Sequence, residues 1–446
     1  MRAQLPPGPR LPGVVQAARF SRDPVGYLER NRRRYGDVFT IPFPAFGRLV
    51  YLADPALVKQ VFTGDPAIYH AGAANARALE PILGRHSLLT LDGDEHMRQR
   101  KLLLPPFHGE AVRRYRDLIA DIAAREVERW PVGEAFELRP RLQAITLEVI
   151  LRAVFGVREE PRLARFREVL PRLGEATGLQ MWLPFLRRNL GPWSPWARFL
   201  RLRAEVDELV YDEIRRRRAD PDAGARDDVL SLLLGARHED GSPMSDTELR
   251  DELITLLTAG HETSATALAW AFERLLRNPA ALRVLTAEVD EGGDAYAEAV
   301  VKETLRVRPV IVDVARVLTA DVELAGWRLP AGTVVVPAIA LLQLAPEHYS
   351  EPAAFRPERF LDGQPAPYTW IPFGGGVRRC LGAAFAQLEI KTVLQTVVAQ
   401  ATLHAPDQAP ERARMRHVTL VPGHGTRVTL TARRTPARPV APPTYA

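Results

Sequence analysis

Four groups of residues in this sequence could do chemistry, and the first holds the only cysteine among 446 residues. Cys380 stands in Phe373-Gly374-Gly375-Gly376-Val377-Arg378-Arg379-Cys380-Leu381-Gly382, ahead of a helical pattern from Ala383 to Lys391. Three consecutive glycines cost backbone entropy, so they imply a close approach or dihedrals closed to other residues. A cysteine at a helix start meets unpaired N–H groups and a dipole that favour the thiolate. Such a sulfur can ligate haem iron or act as a nucleophile, and a lone cysteine can also be a small buried hydrophobe. The second group is Glu262-Thr263, an acid beside an alcohol within an apolar run, Leu257 to Ala265, where unpaired burial would be costly. The third is His96 and Arg100, which share one face of a helix at four-residue spacing and could hold an anion. The fourth is Glu303 and Arg306, three apart and able to pair, with Arg359 downstream in Phe355-Arg356-Pro357-Glu358-Arg359-Phe360.

The run around Cys380 resembles the haem-binding signature of the cytochrome P-450 superfamily, Phe-x-x-Gly-x-Arg-x-Cys-x-Gly. Phe373, Gly376, Arg378, Cys380 and Gly382 fall on its positions, and Ala386 on its usual extension. Ala259-Gly260-His261-Glu262-Thr263-Ser264 is similar to the oxygen-binding motif of the same superfamily, and Glu303-x-x-Arg306 with Arg359 is similar to its paired structural elements. The likeness runs from about residue 20 to 433 in the family's order. It implies a mainly α fold with small β elements and haem b between a long central helix and the cysteine loop. Cys380 would be the axial iron ligand; Phe373, Gly374, Arg378, Gly382, Ala259 and Gly260 would border the haem. His96, Arg100, Arg316 and Arg378 would neutralise its propionates. Glu262 and Thr263 would deliver protons to iron-bound dioxygen, and Glu303, Arg306 and Arg359 would fix the cysteine loop. Val310, Ile311, Val312, Val314, Leu420 and Val421 would line the substrate pocket. One departure is visible: many relatives carry a His-Arg-Asp-like stretch where this chain has Gln343-Leu344-Ala345, which is expected to alter local packing more than activity.

These residues need elements to position them. Ser245-Asp246-Thr247-Glu248 reads as a capping box, and no proline follows until Asn278-Pro279. A helix of about 32 residues would span roughly 48 Å and cross the molecule. Upstream, residues 1–20 read as a Pro/Gly-rich arm, Arg22 to Tyr35 as a helix, and Val38–Pro42 with Arg48–Leu52 as paired strands. Ala71 to Thr90 reads as a loop, containing Gly72, Pro81 and Gly84. Ala111 to Arg218 reads mostly as amphipathic helix, interrupted around Trp182-Leu183-Pro184 and Pro192 to Trp196. Residues 219–243 form a mostly polar interruption around Val229 to Leu234. Trp327 to Pro337 and Val418 to Leu430 each read as a hairpin. The expected organisation is an arm (1–20), one catalytic domain (21–433) and a Pro-rich tail (434–446).

Composition bounds the partners. The chain is 46% hydrophobic and 26% charged, ordinary for a globular protein with a large core. One cysteine excludes an intrachain disulfide and fits a reducing cytoplasm. The start lacks a secretory h-region, and no apolar run reaches membrane-spanning length. The net charge of +6 could suggest nucleic acid, but the basic residues are interleaved with acids, and Arg215-Arg216-Arg217-Arg218 suits the solvated C-terminal end of a helix. No Gly-x-Gly-x-x-Gly fingerprint for flavin or nicotinamide is present. The expectation is therefore a monomeric monooxygenase with an apolar substrate, using O2 and electrons from NAD(P)H through a ferredoxin and its reductase. Against it stand a cysteine hydrolase and a haem or lipid carrier without catalysis.

Overall fold

In the computed structural model the described residues are 5–44, 46–176, 186–406 and 409–435. The interruption at Trp182-Leu183-Pro184 and most of the C-terminal tail lie outside them. The central helix, Asp246–Arg277, has the 32 residues its signals allow. Ser245 Oγ accepts from the Glu248 N–H at 3.2 Å, and Glu248 Oε2 accepts from the Ser245 N–H at 2.8 Å. Asn278-Pro279 ends it. Helix Leu138–Ala153 and the cysteine helix, Ala383–Gln400, pack beside it. Their apolar faces share one core that also takes in the helices Tyr115–Val127, Glu160–Ala176, Pro195–Ala219 and Ala295–Val307.

The largest sheet sits apart from this core. Its strands are β1 (Val38–Phe43), β2 (Gly47–Leu52), β3 (Tyr69–His70), β5 (Arg316–Leu318) and β8 (Val334–Pro337), in the order β1-β2-β8-β5-β3. β2 and β8 are parallel and the other pairs antiparallel. β4 (Ala135–Glu137), β12 (Arg427–Arg433) and β9 (Ala401–His404) form a second sheet.

Several sequence expectations change here. Among the described residues of the N-terminal arm only 5–12 are irregular, laid along β1 where the Thr40 N–H donates to Pro7 O at 2.9 Å. Gly13–Arg22 is helical, because Phe20 can pack edge-on to Tyr27 and Phe43. The expected loop at 71–90 begins as a helix, Ala71–Leu83. Asp92 caps it from a distance, accepting from the Gly72 and Ala73 N–H groups at 2.8 and 2.7 Å. Pro81 removes the donor for the Arg77 carbonyl four residues back, and the Arg187 guanidinium donates to that carbonyl instead. The stretch 327–337 is not one hairpin. β7 (Trp327–Leu329) pairs with β6 (Val322–Leu324), while β8 joins the large sheet. Likewise β11 (Thr419–Pro422) pairs back with β10 (Ala413–Arg416), and Arg427 onward pairs with β4 and β9. Arg217 is not solvated. It is buried, donating to Ser231 Oγ at 2.5 Å and Phe155 O at 3.0 Å and pairing with Glu213 and Asp228, while Arg215 and Arg216 face outward. Val229–Gly235 is a short helix.

Candidate active site

The middle of the central helix is where the core opens. Residues 249–255 and 264–272 are buried, yet Thr258 and Ala259 between them are exposed and Gly260 to Thr263 half-buried. Thr263 Oγ1 donates to Ala259 O at 2.5 Å, the ordinary i−4 bond of a helical threonine. A Cβ on Gly260 would come within 2.8 Å of Ile150 Cδ1, so this glycine lets helix Leu138–Ala153 approach. Glu262 is clamped: Arg139 Nη2 donates to Oε1 at 2.8 Å, Arg416 lies at 3.5 Å and His417 at 3.7 Å. Burial alone would push its carboxyl up, but His417, Arg139 and Arg416 outweigh it and hold the group ionised. His261 is pushed down to about 4, chiefly by burial, so it is neutral near pH 7.

Cys380 is exposed at the surface of its loop, yet desolvation pushes its thiol pKa up. The helix starts three residues later, at Ala383, and burial outweighs the lowering effects of Gly382 N–H, Arg100 and Arg379. The local dipole therefore does not suffice for a thiolate; a bound metal ion would enforce one. The loop is held by the Cys380 N–H donating to Phe373 O at 2.9 Å, with the Phe373 ring edge-on to Trp370. Two of the three glycines answer to a neighbouring helix, Pro55–Thr63. A Cβ on Gly375 would meet the Phe62 ring at 2.4 Å, and one on Gly376 (φ +63°) the Phe62 carbonyl at 1.8 Å. Gly374 (φ +66°) is the one with open space in front of it.

Beside the cysteine lies a knot of cations. His96 is buried and pushed down to about 3, first by desolvation and then by Arg378, Arg100 and Arg316. Burial also lowers Arg316 and Arg378 to about 10. Arg378 is satisfied by Asp92 and by the carbonyls of Leu88 and Leu91. Arg316 is 6% exposed; among the described residues its guanidinium donates only to the neighbouring Ala315 carbonyl, and it lies over the Phe62 ring at 5.7 Å. Among the described residues nothing accepts a hydrogen bond from the Arg100 guanidinium. Three arginine charges against the single Asp92 carboxylate leave two positive charges uncompensated. A flat group bearing two carboxylates and presenting iron to the cysteine would fit this donor set, as haem b does.

Glu303, Arg306 and Arg359 also stand together. Arg306 donates to both Glu303 oxygens at 2.7 and 2.8 Å, and both side chains are fully buried. Glu303 Oε1 accepts further from the Arg356 N–H at 2.8 Å and Arg359 Nε at 3.4 Å. The link from this pair to the cysteine loop is Gln343, which the sequence reading treated as a local departure. Its amide donates to Leu305 O at 2.9 Å and Arg306 O at 3.3 Å and accepts from the Ile371 N–H at 3.1 Å. A lone amide closing the apolar run Ile339-Ala340-Leu341-Leu342 was the signal available in the sequence.

The cytochrome P450 family model matches residues 5–429. The chain belongs to the cytochrome P450 family. The cytochrome P450 135B1 protein of Mycobacterium tuberculosis is 46% identical over 96% of this chain and 92% of that one, and cytochrome P450 137 of the same species is 42% identical over 95% and 90%. Among solved structures, the heme domain of cytochrome P450DA is 25% identical at a TM-score of 0.83, over 97% of this chain and 98% of that one. A cyanobacterial CYP120A1 bound to retinoic acid shares the fold at 24% identity and the same TM-score, over 96% and 99%. As a P450 the protein is a haem monooxygenase, an oxidoreductase that uses O2 and NAD(P)H-derived electrons supplied through partners. No described helix is long and apolar enough to cross a membrane.

Proposed function

We propose that this P450 hydroxylates or epoxidises an apolar metabolite of the fatty acid, terpene, steroid or polyketide type, as a monomer supplied by a ferredoxin and its reductase. The observation that carries the site assignment is the pair of cations, buried Arg316 and half-buried Arg100, that find no carboxylate partner among the described residues beside the solitary cysteine. Cys380 would hold the iron; Arg100, Arg316 and Arg378 would receive the propionates, with neutral His96 as a hydrogen-bond donor. When bound, the haem supplies dioxygen activation, favoured by the electron-rich thiolate. Thr263 would turn its hydroxyl from Ala259 O toward the opening to pass a proton. Glu262, held ionised, stores no proton of its own and would take one from the solvent side, with Arg139, Arg416 and His417 setting its position. Val310, Ile311, Val312, Val314, Leu420 and Val421 would form the apolar lining. This reading is supported by the Leu420 N–H donating to Val310 O at 2.8 Å, which places β11 beside residue 310.

A reduced, carbon-monoxide-bound sample should show the red-shifted Soret band of thiolate-ligated haem, and Cys380→Ala should abolish it. A colourless protein, or a band that survives the substitution, refutes the assignment. Thr263→Ala should uncouple electron consumption from product; unchanged coupling removes the relay role.

A further inference from the structure

Residues 310–315 leave the helix Ala295–Val307 and are apolar except for Asp313. The segment is fixed on three sides: Val310 O accepts from Leu420 N–H, Val312 O from Ala340 N–H at 3.0 Å, and Val314 N–H donates to Pro337 O at 3.2 Å. Asp313 has one polar partner among the described residues, the Tyr51 hydroxyl, which donates to Oδ2 at 3.1 Å. Tyr51 comes from β2, is 2% exposed, and stacks on Phe39 with centroids 5.5 Å apart. Phe39, Tyr51, Val312 and Leu420 belong to one apolar cluster. Burial pushes the Asp313 carboxyl up to about 6, opposed only by the Tyr51 hydrogen bond. Oδ1 takes no hydrogen bond within the described protein and is not sealed off either. The aspartate itself is half-buried.

A carboxylate in apolar surroundings without a cation is costly. The arginines of the site do not relieve it: Arg316, three residues on, faces Arg378 and Asp92. We propose that Asp313, oriented by Tyr51, is a specificity-determining residue that anchors a cationic nitrogen on an otherwise apolar substrate. The inference rests on the monooxygenase reading and narrows its substrate list. A fatty carboxylate would place like charges together, whereas an apolar amine supplies the missing countercharge.

The test compares decyltrimethylammonium, 1-decanol and decanoate, below their micellar concentrations, with the haem-loaded full chain. The quaternary nitrogen cannot ligate iron, so binding is read by calorimetry and by the haem spin-state shift. The ammonium should bind at least about ten-fold tighter than decanol, and decanoate weakest. Asp313→Asn should lower ammonium affinity about ten-fold while leaving decanol unchanged. Tyr51→Phe, which keeps the carboxylate, should retain most of the preference and guards against packing damage in Asp313→Asn. Equal wild-type affinity for decanol and the ammonium, or an undiminished preference in Asp313→Asn, overturns the anchor. Calorimetry needs no haem signal, so a protein with the thiolate band but no preference fails here alone, and one without the band fails the earlier reading.

Discussion

Gln343 offers the most demanding check on how the cysteine loop is held. Replacing it with methionine keeps its length and burial but removes an amide that bonds Leu305 O, Arg306 O and the Ile371 N–H. At least two buried backbone groups, the Leu305 carbonyl and the Ile371 N–H, are left unpaired. At about 1–3 kcal/mol each, Gln343→Met should cost about 2–6 kcal/mol. Gln343→Glu separates the two halves of the amide. A buried carboxylic acid keeps its proton more readily than an exposed one, so it can donate to Leu305 O while its other oxygen accepts from Ile371. The variant should track the wild type near about pH 5. As pH rises and the acid ionises, the donor is lost, and the variant should fall toward Gln343→Met by about pH 9. Urea unfolding followed by tryptophan fluorescence is suited to this. Trp370 adjoins Ile371, and its Nε1–H donates to Lys302 O at 3.1 Å. A Gln343→Met protein within about 1 kcal/mol of wild type, or a Gln343→Glu variant without pH dependence, would refute the argument.

Two further outcomes follow from the same geometry. Gly376→Ala should fail to load haem, because its Cβ would sit 1.8 Å from the Phe62 carbonyl at a φ of +63°; Gly374→Ala, with open space ahead, should load and lose only about 1–2 kcal/mol. Normal haem content in Gly376→Ala would contradict this. Glu252 is fully buried and pushed up to about 8, mainly by desolvation. The folded chain thus keeps a proton that the unfolded chain has released above about pH 4.3. That contribution to stability is lost as pH rises toward 8, and Glu389, also near 8, adds a second loss. Glu252→Gln should roughly halve the decline in unfolding free energy between about pH 5 and 8, and an unchanged slope would count against it.

What the sequence made legible was what depends on local rules. The capping box of Ser245 and Glu248 and the spacing around Cys380 each set structure within a few residues. What it hid depends on distant partners. Ala71–Leu83 is helical because Asp92 caps it and Arg187 takes the carbonyl that Pro81 strands, neither visible from the segment itself. Gly375 and Gly376 were readable as a close approach, but the approaching group is Phe62. β8 and β12 found partners far from the neighbours their turns suggested. Gln343 read only as a departure from the family's usual stretch, and the fold alone shows what it reaches.

A sole, exposed cysteine also gives the protein a counting handle. On the proposed assignment of Cys380 as iron ligand, a molecule that carries the cofactor would have its one sulfur engaged, and a molecule that does not would have it free. Alkylation by a small maleimide therefore reports occupancy molecule by molecule, at a single mass increment and with no background from a second thiol.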